Sequence, residues 1–171
     1  MRFPVLALLC CAATATSQTR VPVTDAVTMS GKAVHFPQDF KQPTTVVIVG
    51  FTKESAKQTN EWATRISEMH VCNAQAEWYQ VAVLESVPRL IRRFVDNAIR
   101  QNLPAQVRPH FVAVFSKEAD WKTATAYQAP DDAYVLTVAT AGVVVARWHG
   151  KPSEVAVAEL QSQIKGRYSV R

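Results

Sequence analysis

Residues 44–51, Thr-Thr-Val-Val-Ile-Val-Gly-Phe, contain four consecutive branched apolar side chains, Val46 to Val49. Side chains alternate between the two faces of a strand, so an unbroken apolar run must be covered on both faces. This predicts a central strand of an α/β sheet with helices packed on either side. The next segment agrees. Across Lys53–Met69, Trp62, Ile66 and Met69 recur at i, i+4 and i+7, on one helical face. Ser55 and Gln58 have the S-x-x-Q spacing of a capping box at the start of that helix.

The rest of the chain continues the alternation. A strand is expected over Glu77–Ser86. A helix is expected over Pro88–Gln101, with Pro88 at its first position and Leu103-Pro104 ending it. Leu90, Ile91, Phe94, Val95, Ala98 and Ile99 form an apolar stripe, and Arg89, Arg92, Arg93 and Arg100 lie largely off it. The stripe suits packing on the sheet, which would leave the arginines in water; the same pattern also suits an acidic partner or lipid head groups. His110–Ser116 reads as a third strand and 117–127 as a short helix or loop. Ala133–Val138 and Gly142–Trp148 read as a hairpin, in which Arg147-Trp148 is strand packing plus a surface charge. Pro152–Lys165 reads as a last helix with Gly166 as its C-cap. Residues 31–43 look like a short edge hairpin, because Pro37 and Pro43 bar a central strand.

The N-terminus stands apart. Arg2, the apolar run Phe3–Ala13 and the small residues after it have the pattern of a secretory signal peptide, assigned to residues 1–17. The run is too short to span a bilayer. Residues 18–30 are polar and unpatterned and read as a flexible, exposed lead-in, with the folded domain over 31–171. The expectation is therefore an exported chain, periplasmic or secreted. Loss of Arg2, with no acid in the segment, takes the formal charge from +5 to +4. Of three cysteines only Cys72 would remain, so an internal disulfide or a CxxC redox pair is excluded by counting. With 48% hydrophobic and 19% charged residues the chain has the composition of a globular fold. No nucleic-acid-binding pattern accompanies its mild positive charge.

The strand-turn-helix at 44–69 resembles that of thioredoxin-like proteins, in which the first redox cysteine caps the helix N-terminus. The element order, three strands with helical crossovers and then a hairpin and a helix, resembles that fold with one strand added in the middle. In this chain Ser55 and Gln58 stand at the cysteine spacing. The fold also implies a cis-proline before the hairpin, facing the turn; Pro130 is the candidate. The second half narrows the likeness. Arg92, Pro104, Tyr134-Val135-Leu136, Arg147-Trp148 and Gly150 resemble the mitochondrial ATP synthase assembly factor family and its bacterial relatives. That resemblance covers roughly residues 31–165. It implies a thioredoxin-like fold and chaperone-like assistance to the assembly of a membrane enzyme, without redox chemistry.

These readings give two functional expectations. The first is a redox-inactive binding or assembly module, with no catalytic residue and no cofactor, that meets a protein or peptide around Ser55, Gln58 and Pro130. A peripheral contact with a membrane or membrane protein through the arginine face is a further expectation. A serine nucleophile needs a base within reach; Lys53 and Lys57 are poor ones, and a cap worth about 1 kcal/mol is the simpler role for Ser55. The second expectation is a single-thiol oxidoreductase or peroxidase using Cys72, with His70 nearby. Cys72 follows the first helix, where the C-terminal end of the dipole disfavours a thiolate. His35, His70, His110 and His149 show no paired metal-ligand spacing, so no metal site is expected.

Overall fold

The structure is a computed structural model that describes residues 18–69 and 76–168. Residues 1–17, which include the expected signal peptide, and residues 70–75, which include His70 and Cys72, lie outside the described residues, as do 169–171.

Two short strands come first, β1 (Thr24–Val27) and β2 (Ala33–Phe36), paired antiparallel. There follow β3 (Thr44–Gly50), helix α1 (Ala56–Glu68) and β4 (Ala76–Val83). A 3-10 turn at Arg89–Ile91 leads into α2 (Arg92–Asn102), and a second at Arg108–His110 into β5 (Phe111–Val114). Then come α3 (Glu118–Thr125), β6 (Tyr134–Ala139), β7 (Val144–His149) and α4 (Glu154–Tyr168). Five strands form one sheet in the order β5-β4-β3-β6-β7, with β3 at its centre. The β3–β4 and β4–β5 pairs are parallel; β3–β6 and β6–β7 are antiparallel.

All seven residues of β3 are buried, as its unbroken apolar run requires. Val46 and Ile48 face α1 and α4, packing with Trp62, Ile66, Trp78, Val135, Leu160 and Ile164. Val47 and Val49 face the opposite side, where Phe36, Phe40, Tyr79, Trp121, Tyr134 and Leu136 complete the second half of the core. That second layer is only partly helical. Helix α3 contributes Trp121, and the β1–β2 hairpin region contributes Val21, Val34, Phe36 and Phe40.

This revises the N-terminal reading. Residues 18–30 are not an exposed lead-in: β1 lies within them, and Val21 and Met29 are buried. Arg20 bridges to Val143, the Val144 N–H donates to Thr19 O, and the Met29 N–H donates to Phe111 O. The fold thus begins before residue 31. The hairpin expected within 31–43 is instead β1 with β2. Its pairing joins residues about ten apart, which a local pattern does not reveal. Gly166 also differs, since α4 runs through it to Tyr168.

The largest departure is α2. None of its residues is buried. Ile99 packs at the sheet edge against Met29, Leu103 and Phe111. Arg92 ties the start of the helix down, donating through Nε to Val87 O at 3.0 Å and lying 4.9 Å over the Phe115 ring. Leu90, Ile91, Phe94 and Ala98 are exposed. Both faces of the sheet already have covers, α1 and α4 on one and the hairpin with α3 on the other. Helix α2 lies beside them at the β4–β5 margin of the α1 face, where Ile99 meets Phe111, Ala82 and Ala113 while much of the stripe faces outward.

Candidate functional site

The turn between β3 and α1 is built around close backbone approach. Gly50 ends β3, and a Cβ there would stand 2.7 Å from Ser55 Oγ and 3.0 Å from Thr59 Cγ2. Ser55 is fully buried. Its Oγ donates to Thr52 O at 2.8 Å and accepts the Thr52 N–H at 3.3 Å, while Thr52 Oγ1 accepts the Ser55 N–H at 3.1 Å. These bonds close the turn ahead of α1. The capping box expected at Ser55 and Gln58 does not form: Ser55 is the N-cap residue, but its side chain makes no capping bond to the helix.

Gln58 has another partner. Its Oε1 accepts the N–H of buried Ala133 at 3.1 Å, in the loop just before β6. The Gly150 N–H donates to Ala133 O at 2.8 Å, and Trp62 Nε1 donates to Gly150 O at 2.8 Å. Helix α1, the loop before β6 and the end of β7 are thus tied into one circuit. Thr52 Oγ1 also reaches this loop, 3.1 Å from Pro130 O and 3.3 Å from Asp131 Oδ1. Tyr134 fixes the loop from beneath: its hydroxyl accepts the N–H groups of Gln128 and Ala129 and donates to Ala129 O.

Thr52 thus links the Ser55 turn to Pro130, and Gln58 reaches the same loop at Ala133. Two details differ from the expected surface. Ser55 has no surface to offer a partner, so it shapes the turn from within. Among the described residues the cis peptide is Phe36–Pro37, and Ala129–Pro130 is trans. Ala133, rather than Pro130, directly precedes β6. The exposed part of the cluster consists of Lys53, Glu54, Pro130 and Asp131.

The turn holds no thiol, and its hydroxyls are used by the backbone. No base stands beside Ser55 Oγ; its partners are the Thr52 N–H and C=O. His149 pairs with Asp132 at 3.0 Å and His35 with Asp25 at 2.7 Å; hydrogen bonding to Asp25 raises the pKa of His35. His110 stacks on Trp78 at 4.3 Å, and burial lowers its pKa below 6.5. Among the described residues no three His, Cys, Asp or Glu side chains converge as a metal site would require.

No family model matches the chain, and no curated protein matches it. Solved structures do. BsSco, a member of the Sco family of cytochrome c oxidase assembly proteins, superposes with a TM-score of 0.62 at 12% identity, covering 91% of this chain and 96% of its own. The chain has the thioredoxin-like fold. The exposed lipoprotein thioredoxin Etrx1 of Streptococcus pneumoniae matches with a TM-score of 0.59 at 8% identity, over 83% of this chain and 99% of its own. StoA of Bacillus subtilis matches with 0.56 at 12% identity, over 84% and 97%. At these identities the likeness is one of fold. No helix among the described residues is long and apolar enough to cross a membrane.

In this thioredoxin-like chain the sequence reading missed Thr52 and Ala133. T-x-x-S could have been read as a pair closing the turn; nothing local marks the Ala133 backbone as the partner of Gln58. The four arginines fall as follows. Arg89 and Arg93 are exposed, Arg92 is held against backbone carbonyls, and Arg100 lies 3.6 Å from Asp96.

Proposed function

We propose that the chain is a redox-inactive thioredoxin-like module that binds a protein or peptide and serves an assembly or chaperone-like role. The observation that carries this reading is the closed turn at Thr52–Ser55, where the N-cap position of α1 is held by a serine buried against Gly50 whose hydroxyl is spent on Thr52. A redox thiol needs an accessible, dipole-facing position there, and this chain fills it with structure. The contact surface is the exposed ridge of Lys53, Glu54, Pro130 and Asp131, with Gln58 fixing its spacing from beneath.

Two likenesses support the assembly role: the resemblance of the second half to the ATP synthase assembly factor family, and the fold shared with BsSco, itself of an assembly-protein family. Export through the leader at residues 1–17, to the periplasm or beyond the cell, belongs to the same proposal.

Purified protein should neither reduce insulin nor consume peroxide, and a Cys72→Ser variant should behave as the parent does. Robust turnover lost in Cys72→Ser would replace this reading with the single-thiol enzyme. A photo-crosslinker at exposed Lys53 should capture a partner that the same probe at exposed Lys165, on α4, does not.

A further inference from the structure

The outward side of α2 and of the turn before it exposes three large apolar side chains. Leu90 is 91% exposed, Phe94 75% and Ile91 47%. Leu90, Phe94 and Ala98 recur every fourth residue along the 3-10 turn and α2, and all three are exposed, which sets them as a ridge. The other exposed large hydrophobics, Val23, Val27, Val145 and Val155, lie on separate elements. A ridge of this kind disfavours the free state in water, and contiguous apolar exposure marks a contact surface.

Charge narrows what can cover it. Residues 88–102 contain four arginines and a single acid, Asp96. Asp96 is half-buried and already beside Arg100 at 3.6 Å. Arg89 and Arg93 flank the ridge, and no carboxylate lies within ion-pair distance of either among the described residues. A second copy docking through the same residues would bring arginines against arginines, with no unpaired acid within 88–102 to offset them.

We propose that the Leu90–Phe94–Ala98 ridge is a membrane-docking surface for an anionic phospholipid bilayer. Leu90, Ile91 and Phe94 enter the acyl boundary, while Arg89 and Arg93 meet lipid phosphates, for which the guanidinium is a bidentate donor. The contact is peripheral, and apolar insertion and cationic attraction act together, since either alone gives only marginal attachment. The ridge shares no residue with the Lys53–Asp131 surface, so each role can be removed by substitution without the other.

The test is co-sedimentation of residues 18–171, which contain every described strand and helix, with phosphatidylcholine vesicles and with mixed phosphatidylcholine–phosphatidylglycerol vesicles. The protein should bind the mixed vesicles in a salt-sensitive manner and bind pure phosphatidylcholine at least tenfold more weakly. Leu90→Gln with Phe94→Gln should reduce binding tenfold or more. Arg89→Gln with Arg93→Gln should reduce it about thirtyfold, at roughly fivefold per cation removed. Both double variants should keep the parent's circular dichroism and sedimentation as a monomer. Three results would overturn the proposal: no binding to the mixed vesicles, equal binding to both vesicle types, or full binding by a folded Leu90→Gln, Phe94→Gln variant. A parent dimer that this variant dissociates, without vesicle binding, would assign the ridge to a second copy instead.

Discussion

Thr52 and Ser55 hold each other by two reciprocal hydrogen bonds, Ser55 N–H to Thr52 Oγ1 at 3.1 Å and Thr52 N–H to Ser55 Oγ at 3.3 Å. The pair lies against Gly50, whose missing side chain is what lets Ser55 Oγ sit there. Gly50→Ala should therefore destabilise the fold by about 1–3 kcal/mol through overpacking. Ser55→Ala should cost about 1 kcal/mol through the lost hydrogen bonds to Thr52. The double variant should be more stable than the sum of the two losses, because removing Oγ relieves the clash nearest the new methyl. Urea denaturation of all four proteins gives this coupling directly. Strict additivity would show that Ser55 is not what holds position 50 to glycine.

Gln58 carries the link from α1 to the loop before β6. Its Oε1 accepts the N–H of Ala133, a buried residue, and a leucine there would leave that donor without a partner. An orphaned buried donor costs about 1–3 kcal/mol. Gln58→Leu should lower stability by that amount and speed exchange of the Ala133 amide hydrogen more than that of amides in β3. Gln58→Glu, which keeps an acceptor in place, should restore much of the protection. Equal protection in parent and Gln58→Leu would remove Gln58 from the circuit.

His110 makes the fold sensitive to mild acid. Burial against Trp78 holds its pKa below 6.5, and neither the Trp78 carbonyl nor Glu77 restores it. The folded chain therefore takes up the His110 proton later than the unfolded chain as pH falls. Below 6.5 the unfolded state binds more protons, so this group lowers stability as pH drops toward its folded pKa and contributes no slope above 6.5. His110→Phe keeps a ring on Trp78 and removes the titration. The gap between parent and variant in Tm should move in favour of the variant between neutral pH and pH 5. His35 works in the opposite sense: its raised pKa gives stability that is complete below 6.5 and lost as pH rises through the raised value. A constant gap between parent and His110→Phe would refute the assignment.

Ala126 ends α3 with φ of 52°, in the left-handed region, and its N–H donates to Thr123 O. A Cβ is disfavoured there by roughly 1–2 kcal/mol. Glycine adopts the conformation freely, although it gives the unfolded chain more freedom. Ala126→Gly should thus stabilise the protein by about 0.5–1 kcal/mol, seen as a rise in Tm, against the usual direction of an alanine-to-glycine change.

The central strand was legible because Val46–Val49 admits few environments, and α1 was legible because Trp62, Ile66 and Met69 mark a face that is buried. The β6–β7 hairpin was legible from its two apolar runs and short turn. The β1–β2 hairpin was not, since Thr24–Val27 becomes a strand only through pairing with Ala33–Phe36 and support from the core. At the turn, spacing suggested a capping box at S-x-x-Q, but the Ser55 hydroxyl bonds back to Thr52 instead. For α2, periodicity showed that an apolar face exists but not what lies opposite it. Whether a stripe is buried depends on what the rest of the fold leaves open: α1 and α4 cover most of the face on which Ile99 meets Phe111 and Ala113, and α2 lies at its β5 margin.

Helix α2 therefore carries two apolar sides with different duties. Ile99 is half-buried against Met29, Leu103 and Phe111, and truncation to alanine should cost about 1–2 kcal/mol, below the range for a fully buried isoleucine. Phe94, larger but 75% exposed, has little to lose on folding. Phe94→Gln should change stability by no more than about 0.5 kcal/mol, as surface substitutions do. By size and hydrophobicity alone the order would be reversed. Chemical denaturation of Ile99→Ala and Phe94→Gln decides the matter. A Phe94→Gln loss as large as that of Ile99→Ala would mean that the ridge packs within the folded chain and is not available for docking.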